Sequence, residues 1–329
     1  MEMDYPVIFV PGLFGSLGDD VINGTGDFSF GPAETVYRPF IKILNSMGYI
    51  EGFNLFISYY DWKMPVLESV DKYLSKDIER IKRDTKKEKV IIIGHSLGGL
   101  LGRTYLAYFS PSSVDKLIMI GTPNLGVVNA YFFWSGGKIP YSKVEDNIVY
   151  HGLKMGFILY FSLFKNINYI EVLRKTFPIA RDLLPSYKYG NYLFYEKDGI
   201  RKEVPIEKIE ARNIFLNKLE EKYIHPSKVF IIAGKDIFTN KEFLVDVDSK
   251  DKIKWKDGRP IKVYRTNYGD GTVTTFSALG HLTGRHIVIK GNHIDILYKS
   301  KDFLSSILEK PLIRDIRIEA MGIEKTNRE

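Results

Sequence analysis

The chain of 329 residues contains no cysteine. This absence excludes disulfide bonds, thiolate metal sites and a cysteine nucleophile, and it favours a reducing compartment. The first residues are acidic and run directly into an apolar strand pattern, so the basic and long apolar segments of a signal peptide are missing too. We therefore expect a cytoplasmic, soluble protein, with a mature secreted form carrying an added methionine as the alternative.

Hydrophobic runs of membrane-spanning length are also lacking. The apolar run at 155–164 has ten residues, whereas a helix that crosses a bilayer needs about twenty. The net charge of +7 comes from scattered Lys and Arg, which favours weak attraction to anionic surfaces. Because no nucleic-acid-binding module and no diagnostic ligand spacing is present, we expect no nucleic-acid partner, no metal and no cofactor.

What the sequence does contain is a β-branched apolar run at 90–93 that ends in Gly-His-Ser-Leu-Gly-Gly and continues as a helical pattern. Strand, sharp turn and helix form the context in which Gly-x-Ser-x-Gly indicates a nucleophile. Gly94 and Gly98 allow the close approach that such a turn requires, and Ser96 lies at a helix N-terminus, where free N–H groups favour negative charge. Ser96 is therefore the candidate nucleophile; the alternative is an ordinary turn with an incidental serine.

Strand and helix patterns alternate through the first 126 residues, with apolar strand patterns at 5–10, 54–60, 90–93 and 116–120. With the turn at Ser96, this alternation predicts an α/β-hydrolase fold, a mostly parallel and doubly wound sheet with helices on both faces. Active sites of such sheets lie beyond the carboxyl ends of the strands. Further expectations are helices at 32–47, 65–85 and 294–308, strands at 229–233 and 285–289, a loop at 17–31, a charged helix at 200–221 and a hairpin at 252–265 around an Asp-Gly turn.

A glycine-rich turn, Pro-Gly-Leu-Phe-Gly-Ser at 11–16, follows the first strand pattern. In this fold the second donor of an oxyanion hole comes from such an early loop, and the first comes from the residue after the nucleophile. We therefore expect the backbone N–H groups of Leu97 and of Leu13, or its neighbour Phe14, to form the hole; a simple surface turn is the alternative. The polar and aromatic corner at 59–63, which includes Trp62, lies near the same edge.

The alternation stops between residues 127 and 227, which predicts an inserted cap or lid. Its apolar run at 155–164 forms either a core helix of the insertion or a lid whose apolar face meets lipid on opening. Phe157 and Phe161 in this run, together with Phe14 and Trp62, are the candidate substrate-binding residues. The predicted domains are a hydrolase core at 1–126 and 228–310, a cap at 127–227 and a charged tail at 311–329.

Four histidines compete for the role of the base. Triads of this fold run along the chain as Ser, acid and His, and His293 stands directly after the final strand pattern. His286 begins that strand, at the wrong edge of the sheet, and His281 lies in a turn and is harder to dismiss. The turn at the serine directs the side chain of His95 away from its neighbour, so His293 is the candidate base.

Two carboxylates follow the strand pattern at 229–233 and compete for the role of the acid. Asp270 lies between two glycines, which would let a buried carboxylate reach the histidine without crowding. Asp236 could instead cap the chain locally. We expect Asp270 to be the acid.

These motifs, in this order, resemble the lecithin:cholesterol acyltransferase-like lipases, a group that includes phospholipases, acyltransferases and bacterial esterases. The resemblance covers residues 5–126 and 228–308. It implies Ser96 as nucleophile, Asp270 as acid, His293 as base, and Leu13 and Leu97 as oxyanion donors. The motifs that carry it are Pro-Gly-Leu-Phe-Gly-Ser at 11–16, Tyr-Asp-Trp-Lys at 60–63, Gly-His-Ser-Leu-Gly-Gly at 94–99, Gly-Thr-Pro at 121–123 and Gly-Asp-Gly-Thr-Val at 269–273.

The chain departs from this family in two respects. Lys63 stands where members often have arginine, and many eukaryotic members carry disulfides and a secretory signal, both of which this sequence lacks. A lipoprotein-type role is therefore not expected, whereas the catalytic core is unaffected.

We expect a serine carboxylic ester hydrolase, a lipase, esterase or phospholipase, that acts on lipid acyl esters through an acyl-enzyme. Its expected partners are the lipid substrate and, through the cap, a membrane or micelle surface. The alternative within enzymes is an acyltransferase that passes the acyl group to an alcohol. The alternative of another class is a non-catalytic lipid-binding or membrane-docking protein.

Overall fold

The computed structural model describes residues 5–20, 25–138, 169–248 and 254–308. Twelve strands lie in these ranges: β1 Val7–Val10, β2 Leu17–Asp20, β3 Thr25–Ser29, β4 Leu55–Ile57, β5 Val90–His95, β6 Val114–Ile120, β7 Leu193–Lys197, β8 Ile200–Val204, β9 Val229–Lys235, β10 Thr239–Asp246, β11 Arg259–Thr266 and β12 Arg285–Lys290.

The α-helices of the same ranges are α1 Glu34–Ser46, α2 Val66–Ser69, α3 Ser75–Thr85, α4 Leu97–Tyr108, α5 Ala130–Gly136, α6 Tyr169–Thr176, α7 Ile179–Asp182, α8 Ile214–Leu219, α9 Thr275–Leu279, α10 Asp295–Lys299 and α11 Lys301–Ile307. A π-helical turn, Val70–Leu74, joins α2 to α3 into the single helix expected at 65–85. The helix expected at 294–308 is instead two short helices, α10 and α11.

Six parallel strands form the central sheet in the order β12-β9-β6-β5-β1-β4. Strand β1 is buried along its whole length, so apolar side chains alternate between the two faces of the sheet. Ile8 and Val10 pack with α3 and α4 on one face. Val7 and Phe9 pack with α1, α10 and α11 on the other. The predicted parallel sheet with helices on both faces is confirmed.

A second sheet of four strands has the order β11-β10-β7-β8. Its strands β7 and β8 come from the predicted cap, whereas β10 and β11 lie beyond residue 228. Hydrogen bonding therefore groups β10 and β11 with β7 and β8, although the domain boundaries themselves remain a prediction.

Two local expectations in this sheet are wrong. Residues 200–204 form the exposed edge strand β8, and only 214–219 of the expected helix at 200–221 are helical. Strand β11 pairs with β10, and the described residues 254–258 contain no strand, so the expected hairpin around Asp257 is wrong. Its Asp257 instead accepts hydrogen bonds from the backbone N–H groups of Glu210 and Ala211 at 2.6 and 2.9 Å.

The loop expected at 17–31 is also wrong in part, because β2 and β3 form an antiparallel pair within it. These two strands are rich in glycine and acidic residues, so they lack the alternation of apolar and polar residues that predicts a strand. The pair lies between the turn at 11–16 and helix α1.

A separate apolar cluster joins the predicted cap to the second sheet: Tyr131 of α5 packs with Tyr192 and with Phe243 of β10. Phe157 and Phe161, predicted to bind substrate, lie outside the described residues. Among the helices that the structure describes, none is both long and apolar enough to span a bilayer.

Buried polar contacts attach the insertion to the core. The carboxylate of Asp182 in α7 accepts a hydrogen bond from the N–H of Val66, the first residue of α2, at 2.9 Å. Arg103 of α4 pairs with Glu220, just after α8, at 2.9 Å, and both side chains are buried. Arg103 also donates to the carbonyl oxygen of Asn124 at 2.8 Å. The insertion is therefore fixed to the helices that flank β5.

Candidate active site

Ser96 occupies the turn between β5 and α4 in a strained backbone conformation. Its φ and ψ angles are 52° and −122°, a region that costs a non-glycine residue about 1–3 kcal/mol. Its N–H donates to the carbonyl oxygen of Ile120 at 2.8 Å, which holds the turn against β6. A Cβ atom on Gly98 would lie 2.1 Å from the carbonyl oxygen of Val10, so only glycine fits there. The predicted strand–turn–helix context of Ser96 is confirmed.

Asp270 and His293 meet in a hydrogen bond of 2.8 Å between Oδ2 and Nδ1. The other oxygen of Asp270 accepts from the N–H groups of Thr272 and Val273 at 2.9 and 2.7 Å. The carboxylate is fully buried, and the side chain of His293 is 16% exposed. This arrangement orients the imidazole and fixes which of its nitrogens carries the proton.

The rival residues lie elsewhere. Asp236 is exposed and pairs with Lys290 at 3.2 Å. His286 is exposed on β12, and His281 is exposed with its Nε2 3.5 Å from the carbonyl oxygen of Lys188. The roles of Ser96, Asp270 and His293 in a reaction stay a prediction.

The turn at 11–16, which we call the oxyanion loop, is held by phenol groups from two other elements. The hydroxyl of Tyr60 donates to the carbonyl oxygen of Pro11 at 2.9 Å. The N–H of Gly12 donates to the hydroxyl of Tyr37 in α1, also at 2.9 Å. Within the described part of the chain, the N–H groups of Leu13 and Leu97 donate to no carbonyl or side chain. The role of these two N–H groups as oxyanion donors stays a prediction.

A row of aromatic rings leads from the oxyanion loop into the insertion. Phe14 contacts Trp62 edge to face with ring centroids 4.6 Å apart. Trp62 stacks on Phe177 at 5.6 Å, and Phe177 meets Phe133 of α5 at 6.0 Å. Phe14 and Phe133 are half-buried, whereas the middle two rings are buried.

Sequence reasoning missed Phe133, Phe177 and Tyr37 as residues of this region. Tyr37 could have been noticed, because its polar hydroxyl lies on the apolar face of α1 among Val36, Phe40 and Ile41. Nothing in the sequence marks the two phenylalanines, since their neighbours along the row are distant in the chain. Among the described residues, no group of three or more His, Asp or Glu side chains is arranged to hold a metal ion.

Residues 26–155 match the family model of lecithin:cholesterol acyltransferase. The resemblance drawn from the motifs is thereby confirmed over this part of the chain. The chain is 26% identical over 184 residues to 1-acylglycerol-3-phosphate O-acyltransferase ICT1 of Saccharomyces cerevisiae. The matched segment covers 54% of this chain and 45% of the yeast protein. The match thus spans less than half the length of this curated relative.

A solved structure shows the same fold. A chain in the crystal structure of the Tle4-Tli4 complex is 12% identical, with a TM-score of 0.59, over 94% of this chain and 98% of that chain. The mature form of Bacillus licheniformis lipase BlEst2 is 15% identical, with a TM-score of 0.47, over 93% and 92% of the two chains. The likeness to the first of these chains, together with the six-stranded parallel sheet and its flanking helices, confirms the fold class that the sequence predicted.

Proposed function

We propose that the protein is a serine ester hydrolase that cleaves acyl esters of lipids through an acyl-enzyme at Ser96. The observation that carries this proposal is the buried hydrogen bond between Asp270 and His293 at the edge of the sheet where the strained turn presents Ser96. A nucleophile, a base and an acid that orients the base are the groups that acyl transfer requires.

The chemistry follows from these positions. Asp270 holds the proton of His293 on Nδ1, which makes Nε2 the basic nitrogen. Nε2 takes the proton of Ser96 as the hydroxyl oxygen bonds to the ester carbonyl, and the N–H groups of Leu13 and Leu97 stabilise the oxyanion. The imidazolium returns its proton to the departing alcohol as the ester bond breaks, and a water molecule then releases the acyl group by the same steps.

The aromatic row of Phe14, Trp62, Phe177 and Phe133 supports an apolar acyl chain as the substrate group. It starts in the oxyanion loop, next to where the ester carbonyl would lie, and continues into α5 of the insertion. Burial of methylene groups against such rings contributes about 0.8 kcal/mol for each CH₂. Esters of medium or long acyl chains should therefore bind better than acetate esters.

Hydrolysis of p-nitrophenyl esters of rising chain length by the wild type and by Ser96→Ala tests the proposal. We expect kcat to fall about 10⁴- to 10⁶-fold in the variant. Ser46→Ala is the matched control, because Ser46 is exposed at the end of α1 and, among the described residues, donates only to the carbonyl oxygen of Ile43. Activity that survives Ser96→Ala would refute the mechanism, and an inactive wild type with bound lipid would favour the non-catalytic alternative.

An acyltransferase is the second candidate function. The match to the yeast acyltransferase and to the acyltransferase family model favours it. The two activities share the acyl-enzyme and differ only in whether water or an alcohol takes the acyl group. The ratio of free fatty acid to transferred acyl product, measured with a long-chain ester and 1-acylglycerol-3-phosphate as acceptor, decides between them.

A further inference from the structure

Tyr37 and His95 form a continuous line of hydrogen bonds between the oxyanion loop and the backbone of His293. The hydroxyl of Tyr37 accepts from the N–H of Gly12 at 2.9 Å and lies 3.0 Å from Nδ1 of His95. Nε2 of His95 lies 3.0 Å from the carbonyl oxygen of His293. Both side chains are buried, at 4% and 3% exposure. We call this pair of residues the Tyr37–His95 bridge.

The direction of each hydrogen bond in the bridge is determined by its ends. A backbone carbonyl oxygen only accepts, so Nε2 of His95 must carry a proton. Burial, together with the repulsion between the charged forms of His95 and His293, lowers the pKa of His95 well below its usual range, so the ring is neutral and its Nδ1 has no proton. Nδ1 is then an acceptor, and the hydroxyl of Tyr37 donates to it while accepting from Gly12.

The bridge passes close beside the nucleophile. His95 precedes Ser96, and a Cβ atom on Gly12 would lie 2.9 Å from Cβ of Ser96, 3.1 Å from the hydroxyl of Tyr37 and 3.2 Å from Nδ1 of His95. The rings of His95 and His293 are 4.8 Å apart between centroids. One line of contacts thus touches the oxyanion loop, the residue before the nucleophile and the candidate base.

We propose that Tyr37 and His95 are positioning residues that fix the oxyanion loop and His293 relative to Ser96. This inference rests on the proposed function. In this inference neither side chain contacts the substrate. Tyr37 acts through the N–H of Gly12, and His95 acts through the carbonyl oxygen of His293. The neutral ring of His95 also places no second positive charge beside the imidazolium that forms on His293 during the reaction.

Tyr37→Phe removes the central hydroxyl and keeps the ring that packs against Phe9 and Phe30. Because displacement of a reacting group by about 1 Å costs up to about 100-fold, we expect kcat to fall about 10- to 100-fold while KM stays within about twofold. Inactivation by an alkyl fluorophosphonate should slow by the same factor.

Tyr298→Phe is the matched control for this variant. It also removes one phenol hydroxyl that contacts α1, since Tyr298 donates to the carbonyl oxygen of Val36 at 2.8 Å. A purely structural effect would lower the unfolding temperature in both variants without a selective fall in kcat. A Tyr37→Phe enzyme with wild-type kcat would overturn the inference.

The second pair of variants tests His95. His95→Leu removes both hydrogen bonds, whereas His95→Gln keeps a neutral donor at the reach of Nε2. We expect the leucine variant to lose about as much kcat as Tyr37→Phe and the glutamine variant to recover most of it. If His95→Leu does not fold, the comparison of Tyr37→Phe with Tyr298→Phe still decides the question.

The double variant Tyr37→Phe/His95→Leu shows whether the two residues act as one unit. The effects of substitutions within one line of hydrogen bonds are not additive. The double variant should therefore lose little more kcat than the single variant with the larger loss. Losses that multiply would overturn the bridge. A wild type that neither cleaves esters nor is labelled at Ser96 would contradict the proposed function. An active wild type whose Tyr37→Phe variant keeps the full kcat would contradict only the inference.

Discussion

Asp270 is held more firmly than a carboxylate that only pairs with a histidine. Its Oδ1 accepts hydrogen bonds from two backbone N–H groups and its Oδ2 accepts one from Nδ1 of His293, so both oxygens are hydrogen-bonded in a buried site. These three hydrogen bonds fix both the position of the carboxylate and the tautomer of the imidazole. In the proposed mechanism, Asp270 therefore orients His293 as well as stabilising its charge.

Replacing Asp270 by Asn should preserve the fold and lower kcat about 10⁴-fold, because an amide can present its N–H₂ to His293 and favour the wrong tautomer. Ester hydrolysis and thermal unfolding of the variant are the measurements. Asp236→Asn is the control, since Asp236 is exposed and pairs only with Lys290 among the described cations. Equal losses in the two variants would show that Asp270 is not the orienting acid.

The sequence was sufficient to predict the positions of some residues of the site but not of others. Ser96, Asp270 and His293 stand in short motifs beside strands, so their positions at the sheet edge follow from local pattern and chain order. The hydrogen bonds of Tyr37 do not follow from local pattern, because its partners Gly12 and His95 are 25 and 58 residues away in the chain.

The element on which the site depends is the strand–turn–helix unit of β5 and α4. Its helix begins directly after Ser96, and Gly98 in the first turn packs against the backbone at the end of β1. Close contact between α4 and β1 brings the oxyanion loop beside Ser96, since that loop follows β1 without a break. Two separate segments of the site are therefore placed by one glycine contact.

Gly98→Ala should disturb this element strongly. A Cβ atom there would lie 2.1 and 2.5 Å from the carbonyl oxygens of Val10 and Pro11, and backbone atoms in a buried strand cannot move aside cheaply. We expect a loss of about 3 kcal/mol in the free energy of unfolding and a fall in kcat. Urea unfolding and ester hydrolysis measure the two effects.

Gly52→Ala supplies the comparison, because Gly52 has a φ of +83° and no atom within 4 Å of its ideal Cβ. Backbone strain alone should cost about 1 kcal/mol there and leave kcat unchanged. Similar losses of stability and activity at both glycines would contradict the contact argument.

One missed element did have a local signal. Asp198 and Gly199 both have positive φ, at 53° and 72°, and connect β7 to β8 as a two-residue hairpin turn. Asp-Gly between strand-like segments is a strong hairpin pattern. The many charges of β8 instead suggested a solvated helix, and they are accommodated because β8 is an exposed edge strand.

At the scale of the whole molecule, the insertion is joined to the core through a buried carboxylate. Asp182 accepts the N–H of Val66 at the start of α2, and burial raises its pKa from about 4 to about 6, with Glu68 acting in the same direction and Arg181 against it. The folded protein thus holds this proton more tightly than the unfolded chain. The contribution of Asp182 to stability is therefore largest at low pH and falls as pH rises to about 6.

The variant Asp182→Asn cannot titrate and keeps an oxygen that accepts the N–H of Val66. The difference in free energy of unfolding, variant minus wild type, should increase by about 2–3 kcal/mol between pH 4 and pH 7. Urea unfolding of both proteins at the two pH values measures this difference directly and cancels the other titrating groups. A difference that does not change with pH would show that the carboxyl titrates normally.

By itself the sequence determined the parallel sheet, the turn at Ser96 and the order of the candidate triad. These features depend on short apolar periods and on glycine at fixed offsets, which are properties of neighbouring residues. The tertiary structure decided which strands form the second sheet, which aromatic rings line up from Phe14 to Phe133, and how Tyr37 and His95 connect the oxyanion loop to His293. Those contacts join segments distant in the chain, and their energy depends on burial and hydrogen-bond geometry that only the folded molecule creates.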